Sequence, residues 1–294
     1  MSQLVLAWLC ISNVPDASSV LSWDFEQGRC AIVLTRKDPQ YTGVGMSLIP
    51  AFHYVSDGVS ELLWQTRCVA CDMPGELLCK ECISKLPWIE QRWACPNCGA
   101  PFGSLVCSEC ITRKEPHVVW ESRSTVCAMG FKGPPACIVT NLKDAHELRL
   151  VPVVAAAILT ALEEAAQWEA RDGLPRWDAG SIDGVCFVPA TRKAFIRRGF
   201  DHMHLVSQAF CQQSQLPLID VLVRPTAQDQ RTLNAHDRAA NLRGTITSVS
   251  DVEGARLLLL DDVITTGSST REATRVLLAH GAQSVTVGAL ARVW

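Results

Sequence analysis

Two adjacent aspartates, Asp261 and Asp262, follow four leucines and precede Thr265, Thr266, Gly267, Ser268 and Ser269 in the run LLLLDDVITTGSST. The leucines read as a buried strand, and the hydroxyl-rich cluster reads as the turn that opens the next helix. A strand ending in two carboxylates, with no salt bridge evident in the sequence, needs a partner beyond the sheet. At the turn, backbone N–H groups, hydroxyls and the positive end of a helix dipole converge, which suits a phosphate. The carboxylates repel a phosphate but accept hydrogen bonds from sugar hydroxyls close by. A sugar phosphate satisfies both halves. A plain helix N-cap accounts for the hydroxyls but not for two aspartates directly after four leucines. No G-x-x-x-x-G-K-[ST] run exists and no G-x-G-x-x-G follows a strand, so ATPase and dinucleotide-binding readings lose their main support.

Eight of the 14 cysteines lie between Cys68 and Cys110, as the C-x-x-C pairs Cys68/Cys71, Cys79/Cys82, Cys95/Cys98 and Cys107/Cys110. Two reduced thiolates so spaced present both sulfurs to one tetrahedral metal, at a Zn–S distance of about 2.3 Å. Eight sulfurs suffice for two Zn²⁺ sites. The stretch repeats itself, CVACDMPGELLCKEC then CPNCGAPFGSLVCSEC, so either each copy binds its own ion or the pairs interleave, the first joining the third. Gly99 in CPNCG relieves the tight turn of a zinc knuckle. Disulfides and an iron–sulfur cluster are the weaker alternatives, since no ferredoxin spacing is present. A closed four-thiolate site leaves no position for a catalytic water, so the metal is structural, and it contributes on the order of 10 to 16 kcal/mol of apparent binding energy to a segment too small to fold alone. The remaining Cys10, Cys30, Cys127, Cys137, Cys186 and Cys211 show no ligand spacing and read as small core residues.

Cations cluster in TRKAFIRRG, where Arg192, Lys193, Arg197 and Arg198 follow a strand end with no acid before Asp201. Four cations in seven residues attract a polyanion, whether a pyrophosphate or a nucleic-acid backbone; a solvated basic loop is the plainer alternative. From Arg224 to Arg243, four arginines with Gln230, Asn234 and Asn241 form a second polar loop. Seven histidines are scattered without a partner pattern, which gives no support to a histidine base.

The elements that must position these groups alternate. STVCAMGF is a strand, PPACIVTNLKDAHEL and VPVVAAAILTALEEAAQWEAR have helical spacing, and IDGVCFVP is a β-rich run ended by Pro189. A helix from about His202 to Gln213 follows, then PLIDVLV, ARLLLLDD, a helix SSTREATRVLLAH capped by Gly281, and a last strand, SVTVGALA. This order implies an α/β domain with a parallel sheet covered on both faces, and ligands in such sheets bind beyond the carboxyl ends of the strands.

With 294 residues and 48% hydrophobic content the chain buries a sizeable core, and a formal charge of −3 gives no whole-chain attraction to polyanions. The most apolar run, from Val151, is cut short by Pro152, Glu163 and Glu164, so no membrane span is expected. MSQLVLAWLCIS lacks the basic start of a signal peptide, which points to a cytoplasmic protein. Residues 1–60 show no sustained period and read as a leader. Met46 opens a short amphipathic helix and reads as an alternative start. The division expected is a leader over 1–60, a Cys-rich zinc-binding domain over 61–115 and the α/β domain over 116–294.

LLLLDDVITTGSS closely resembles the phosphoribosyl pyrophosphate signature of type I phosphoribosyltransferases. Three further stretches narrow the resemblance to the ComF family of ComFC-like competence proteins: the multi-Cys segment, VPATRKAFIRRGFD at 188–201 and QRTLNAHDRAANLRG at 230–244. It covers residues 68–294. It implies a type I phosphoribosyltransferase-like fold in which Asp261 and Asp262 meet ribose hydroxyls and Thr265 to Ser269 hold the 5-phosphate. By the same resemblance the loop after Arg224 closes over the reacting centre, and Lys143 falls where the family has a lysine. Asp201 and His202 depart from the family's Asn and Gln, which puts a polar contact near the pyrophosphate in doubt; Ile246 replaces a Phe as a core swap. Displacing pyrophosphate from ribose needs Mg²⁺ and cations more than a strong base, and Arg192, Lys193, Arg197 and Arg198 are placed for that group. The functions implied are a phosphoribosyltransferase (pentosyl glycosyltransferase) acting in DNA uptake during natural transformation, or a non-catalytic accessory protein that binds single-stranded DNA with other uptake proteins. Trp88 and Trp93, in the Cys-rich segment, either stack bases or pack on the metal region.

Overall fold

The computed structural model describes residues 20–24, 29–33, 65–111, 120–224 and 246–294. The chain divides into two units, Met1–Cys79 and Lys80–Trp294. In the first, β1 (Val20–Asp24) and β2 (Arg29–Val33) form an antiparallel pair with Val20 opposite Val33. The sequence period had indicated no element there. Met46 and its helix lie outside the described residues, as does the loop over 225–245 with Arg231, Arg238 and Arg243.

The second unit opens with two short helices, α1 (Lys80–Ser84) and α2 (Ser108–Ile111), and then alternates strands with helices. Its sheet contains β3 (Ser124–Gly130), β4 (Gly184–Phe187), β7 (Arg256–Ile264) and β8 (Ser284–Arg292), all parallel, in the order β3-β8-β7-β4. The helices are α3 (Pro134–Asp144), α4 (Val151–Ala165), α5 (Arg192–Arg198), α6 (His202–Ser214) and α7 (Ser268–Ala279). Leu257 to Leu260 are fully buried, so both faces of the sheet are covered, as an unbroken apolar run in a parallel strand demands. Ile158 and Leu162 of α4 lie against Gly288 and Leu260 on one face, with α6 packed on α4. Leu257, Leu259, Val285 and Val287 form the other face, packed in one core with Ala273 and Leu277 of α7.

That second face is covered by more than a helix. Cys95, Cys98 and Cys107 belong to the same core cluster as the strand residues. Thr125 of β3 donates its amide to the Pro96 carbonyl at 2.8 Å and its hydroxyl to Asn97 at 2.7 Å. Gly99 sits at φ +70°, and a Cβ there would meet the Cys127 sulfur at 2.5 Å, so only glycine permits this approach.

Three local expectations are corrected. Asp261 and Asp262 do not end their strand, because β7 continues through Val263 and Ile264, whose partners on β8 are Ala291 and Arg292. The basic segment is a helix, not a loop: Thr191 caps α5 by accepting the Ala194 amide at 3.2 Å, and Gly199 ends it at φ 80°. Of PLIDVLV only Leu222–Val223 (β5) forms a strand, antiparallel to β6 (Thr247–Ser248), while Leu218 bridges to Val185.

Candidate functional site

Neighbouring residues of a strand point to opposite faces, and the two aspartates obey this. Asp261 turns toward α7, where it accepts the Thr270 hydroxyl at 3.0 Å, and its other oxygen accepts the amide of Asp262 at 2.9 Å. Asp262 turns toward α3 and α6, where it pairs with Lys143 and lies 2.5 Å from His202 Nε2. The two carboxylates therefore flank the strand rather than stand side by side. Burial and the charge of Asp262 push the carboxyl of Asp261 up to about 7. Asp262 is equally desolvated, but the hydrogen bond from His202 and the charge of Lys143 outweigh burial and hold its carboxyl well below the usual range. The second oxygen of Asp262 accepts the Val263 amide at 2.6 Å, and both aspartates line a cavity of about 260 Å³.

The turn expected to hold phosphate, Thr265 to Ser269, lines the same cavity. Gly267 is the N-cap of α7, at φ 72° and ψ 13°, and has no side chain with which to cap it; Thr266 Oγ1, one residue earlier, accepts the Ser268 amide at a long 3.4 Å. The first amides of α7 thus have no partner within the helix, and its first turn carries no acid to offset the dipole. A Cβ on Gly267 would come within 2.2 Å of the buried Trp120 ring, which forms the floor under the bend. Thr266 Oγ1 and Ser268 Oγ lie 2.7 Å apart, and Ser269 Oγ accepts from Arg224 at 3.3 Å.

The structure sorts the expected cations. Arg198, whose side chain is 11% exposed, lines the cavity; its Nε makes no hydrogen bond, the nearest acid being Asp144 at 3.7 Å. An unsatisfied buried guanidinium donor beside a cavity is a place for an anion oxygen. Arg192, Lys193 and Arg197 lie on the exposed side of α5 and do not line it; Arg197 pairs with Asp144 at 3.1 Å instead. Lys143 and Arg224 do line it.

Sequence reasoning missed His202 and Trp120. His202 is 5% exposed, with Asp262 on one ring nitrogen and Arg198 3.4 Å from the other. The available signal was the pair Asp201-His202 standing where the family has Asn and Gln. Asp201 itself caps α6 by accepting the Met203 amide at 2.9 Å, and ties down the Ala190 amide at 2.7 Å. Nothing in the sequence linked Trp120 to a glycine 147 positions later, since only folding brings them together.

Each cysteine repeat closes on itself. Cys68, Cys71, Cys79 and Cys82 form one group and Cys95, Cys98, Cys107 and Cys110 the other, the sulfurs of each lying within 4.8 Å of one another. Measured separations are 3.6 Å for Cys71–Cys79, 3.6 Å for Cys98–Cys107 and 3.9 Å for Cys95–Cys110. A tetrahedron with Zn–S bonds of about 2.3 Å has edges of about 3.8 Å, whereas a disulfide needs about 2.05 Å. All eight are free thiols, and both groups fit a metal ion. Hydrogen bonds from the Cys98 thiol and from the Cys98 and Asn97 amides, against burial, draw Cys95 down to about 5, which favours the thiolate a metal requires. Cys127 and Cys186 are fully buried core residues; burial pushes the Cys127 thiol up to about 12.

A parallel sheet, an acidic pair on a central strand and a hydroxyl-rich helix start beyond it define a type I phosphoribosyltransferase-like domain, and residues 202–293 match the phosphoribosyl transferase domain model. The chain is 30% identical over 237 residues to the DNA utilization protein YhgH of Salmonella typhi, covering 76% of this chain and 96% of the relative. It is 26% identical to Competence protein F of Haemophilus influenzae over 242 residues, 77% of this chain and 96% of the relative. Competence protein ComFC of Bacillus subtilis is 25% identical over 209 residues, 71% of this chain and 80% of the relative. The chain belongs to the ComF family.

Proposed function

We propose that the cavity binds phosphoribosyl pyrophosphate with Mg²⁺ and that the protein serves DNA uptake during natural transformation, the role suggested by its relatives' names. One observation carries the reading: two carboxylates and the hydroxyl-rich start of α7 line one cavity together with Arg198, Lys143 and Arg224. Asp261 and Asp262 accept the ribose hydroxyls, and the amides and hydroxyls of Thr265 to Ser269 take the 5-phosphate. Arg198 and Lys143 face the pyrophosphate. As that group leaves, positive charge develops at the anomeric carbon and negative charge on the departing oxygens, which Arg198 and Lys143 offset; Mg²⁺ brought in with the ligand would add to that charge neutralisation. The acceptor is a separate question, answered by measuring pyrophosphate release against a panel of acceptors with and without single-stranded DNA.

The segment 61–115 is read as the zinc-binding part and 116–294 as the phosphoribosyl-binding part. Calorimetric titration with phosphoribosyl pyrophosphate and Mg²⁺ tests the site: heat from wild type and none from an Asp261→Asn/Asp262→Asn double variant is expected. Absence of heat with wild type removes this reading. A second reading, binding of single-stranded DNA without turnover, draws on Trp93, 44% exposed with the Arg92 guanidinium 4.7 Å over its ring, a surface suited to a stacked base. Affinity for single-stranded DNA that does not weaken with added salt argues against it.

A further inference from the structure

Arg292, the last residue of β8, has none of its surface exposed. A guanidinium so placed must spend its donors on protein acceptors, and their identity is informative. Its Nε donates to the carbonyl of Cys98 at 2.9 Å. Nη1 donates to the carbonyls of Ile264 at 3.2 Å and Thr265 at 2.7 Å, and also to that of Val293. Nη2 makes no hydrogen bond and lies 3.8 Å from the carboxylate of Glu109, between Cys107 and Cys110. One planar, rigid group therefore grips the second cysteine group and the residue that begins the hydroxyl-rich bend.

We propose that Arg292 is a positioning residue through which a metal on Cys95, Cys98, Cys107 and Cys110 sets the bend that takes the 5-phosphate. The inference rests on the reading of that cavity given above. A metal on Cys98 fixes the knuckle and with it the Cys98 carbonyl. Arg292 passes that fixed point to Thr265, whose neighbours Thr266 to Ser269 carry the donors for phosphate. Without the metal the knuckle loosens, the fork loses one anchor, and the bend must be ordered by the ligand at the ligand's cost. The coupling is reciprocal: phosphate bound at the bend alters the metal's surroundings. A lysine at position 292 retains the charge but cannot hold carbonyls on two segments in one plane.

The full-length protein is titrated calorimetrically with phosphoribosyl pyrophosphate and Mg²⁺ as wild type and as Arg292→Lys, each with its metal and after chelation, with metal content and melting temperature recorded. Arg292→Lys is expected to keep its metal yet bind about tenfold more weakly, and chelation to weaken wild type to a similar degree with little further effect on the variant. Co²⁺-substituted protein gives a second readout that needs no metal-free chain: the thiolate-to-cobalt absorption shifts on adding ligand to wild type and does not in Arg292→Lys. Wild type that binds with its cobalt spectrum unchanged, or losses from variant and chelation that simply add, overturns the coupling while leaving the cavity reading intact. No binding by wild type overturns both.

Discussion

Replacing Asp262 by Asn keeps the side chain's shape and removes its charge, so the effect isolates electrostatics from packing. In the folded protein this carboxylate pairs with Lys143 and lies 2.5 Å from His202; the three side chains are 9%, 22% and 6% exposed. Removing one partner of a buried pair costs about 3–5 kcal/mol, because the other charge is left without compensation. Lys143 is the least buried of the three and can turn to cavity water, which places the expected loss at the low end, about 3 kcal/mol. For a unit the size of Lys80–Trp294, at about 2–4 °C per kcal/mol, the melting temperature falls by roughly 6–12 °C. Lys143→Met alone costs less, since His202 still serves the carboxylate. The double variant recovers part of the sum, with a coupling energy of about 2 kcal/mol. Thermal and urea unfolding followed by circular dichroism measures all three. An Asp262→Asn protein that melts within about 2 °C of wild type refutes the argument that this charge is held by its partners.

The raised carboxyl of Asp261 gives a pH dependence of definite sign. With a folded value of about 7 against an ordinary 3.8, the folded state holds a proton that the unfolded chain has lost between those values. Stability from this group is full below the lower value and declines as pH rises toward the upper one; melting curves across that window follow the decline, and Asp261→Asn flattens it. Ribose hydroxyls prefer the ionised acceptor, so calorimetric affinity for phosphoribosyl pyrophosphate strengthens as pH rises through about 7. Gly267→Ala must displace the Trp120 ring and hold alanine at φ +72°, costing about 1–3 kcal/mol and weakening phosphate binding; an unchanged melting temperature would contradict the placing of Trp120 under the bend. Cys98→Ser, in the group that shares the sheet's core, lowers the melting temperature of the sheet unit, read by circular dichroism alongside metal content; a variant with reduced metal content that melts as wild type does shows that the knuckle is not part of that core.

The order of elements was legible because each carries its own local cause. β3, β4, β7 and β8 are short apolar runs, α3, α4, α6 and α7 have helical spacing, and Gly281 marks a helix end at φ +93°, whereas the short α5 went unread. The cysteine pairs were legible for the same reason, since ligand spacing is local, and the acidic pair and the bend were legible from their place after four leucines, with the resemblance in support. The end of β7 was misplaced because the two aspartates look like a strand's end, whereas pairing with β8 continues it to Ile264.

What the sequence alone determined about this protein is which groups stand in a spacing suited to chemistry: two carboxylates, a hydroxyl-rich helix start, eight thiols and a basic segment. Only the tertiary structure decided how they combine. Packing chose Arg198 over Arg192, Lys193 and Arg197 for the cavity, set His202 and Lys143 on Asp262, and joined Cys98 to Thr265 through Arg292 across 194 positions of chain. The physical reason is the range of the forces. Propensity and ligand spacing act over a few residues, while burial and desolvation depend on which distant segments share a core, and that is not written in any one stretch.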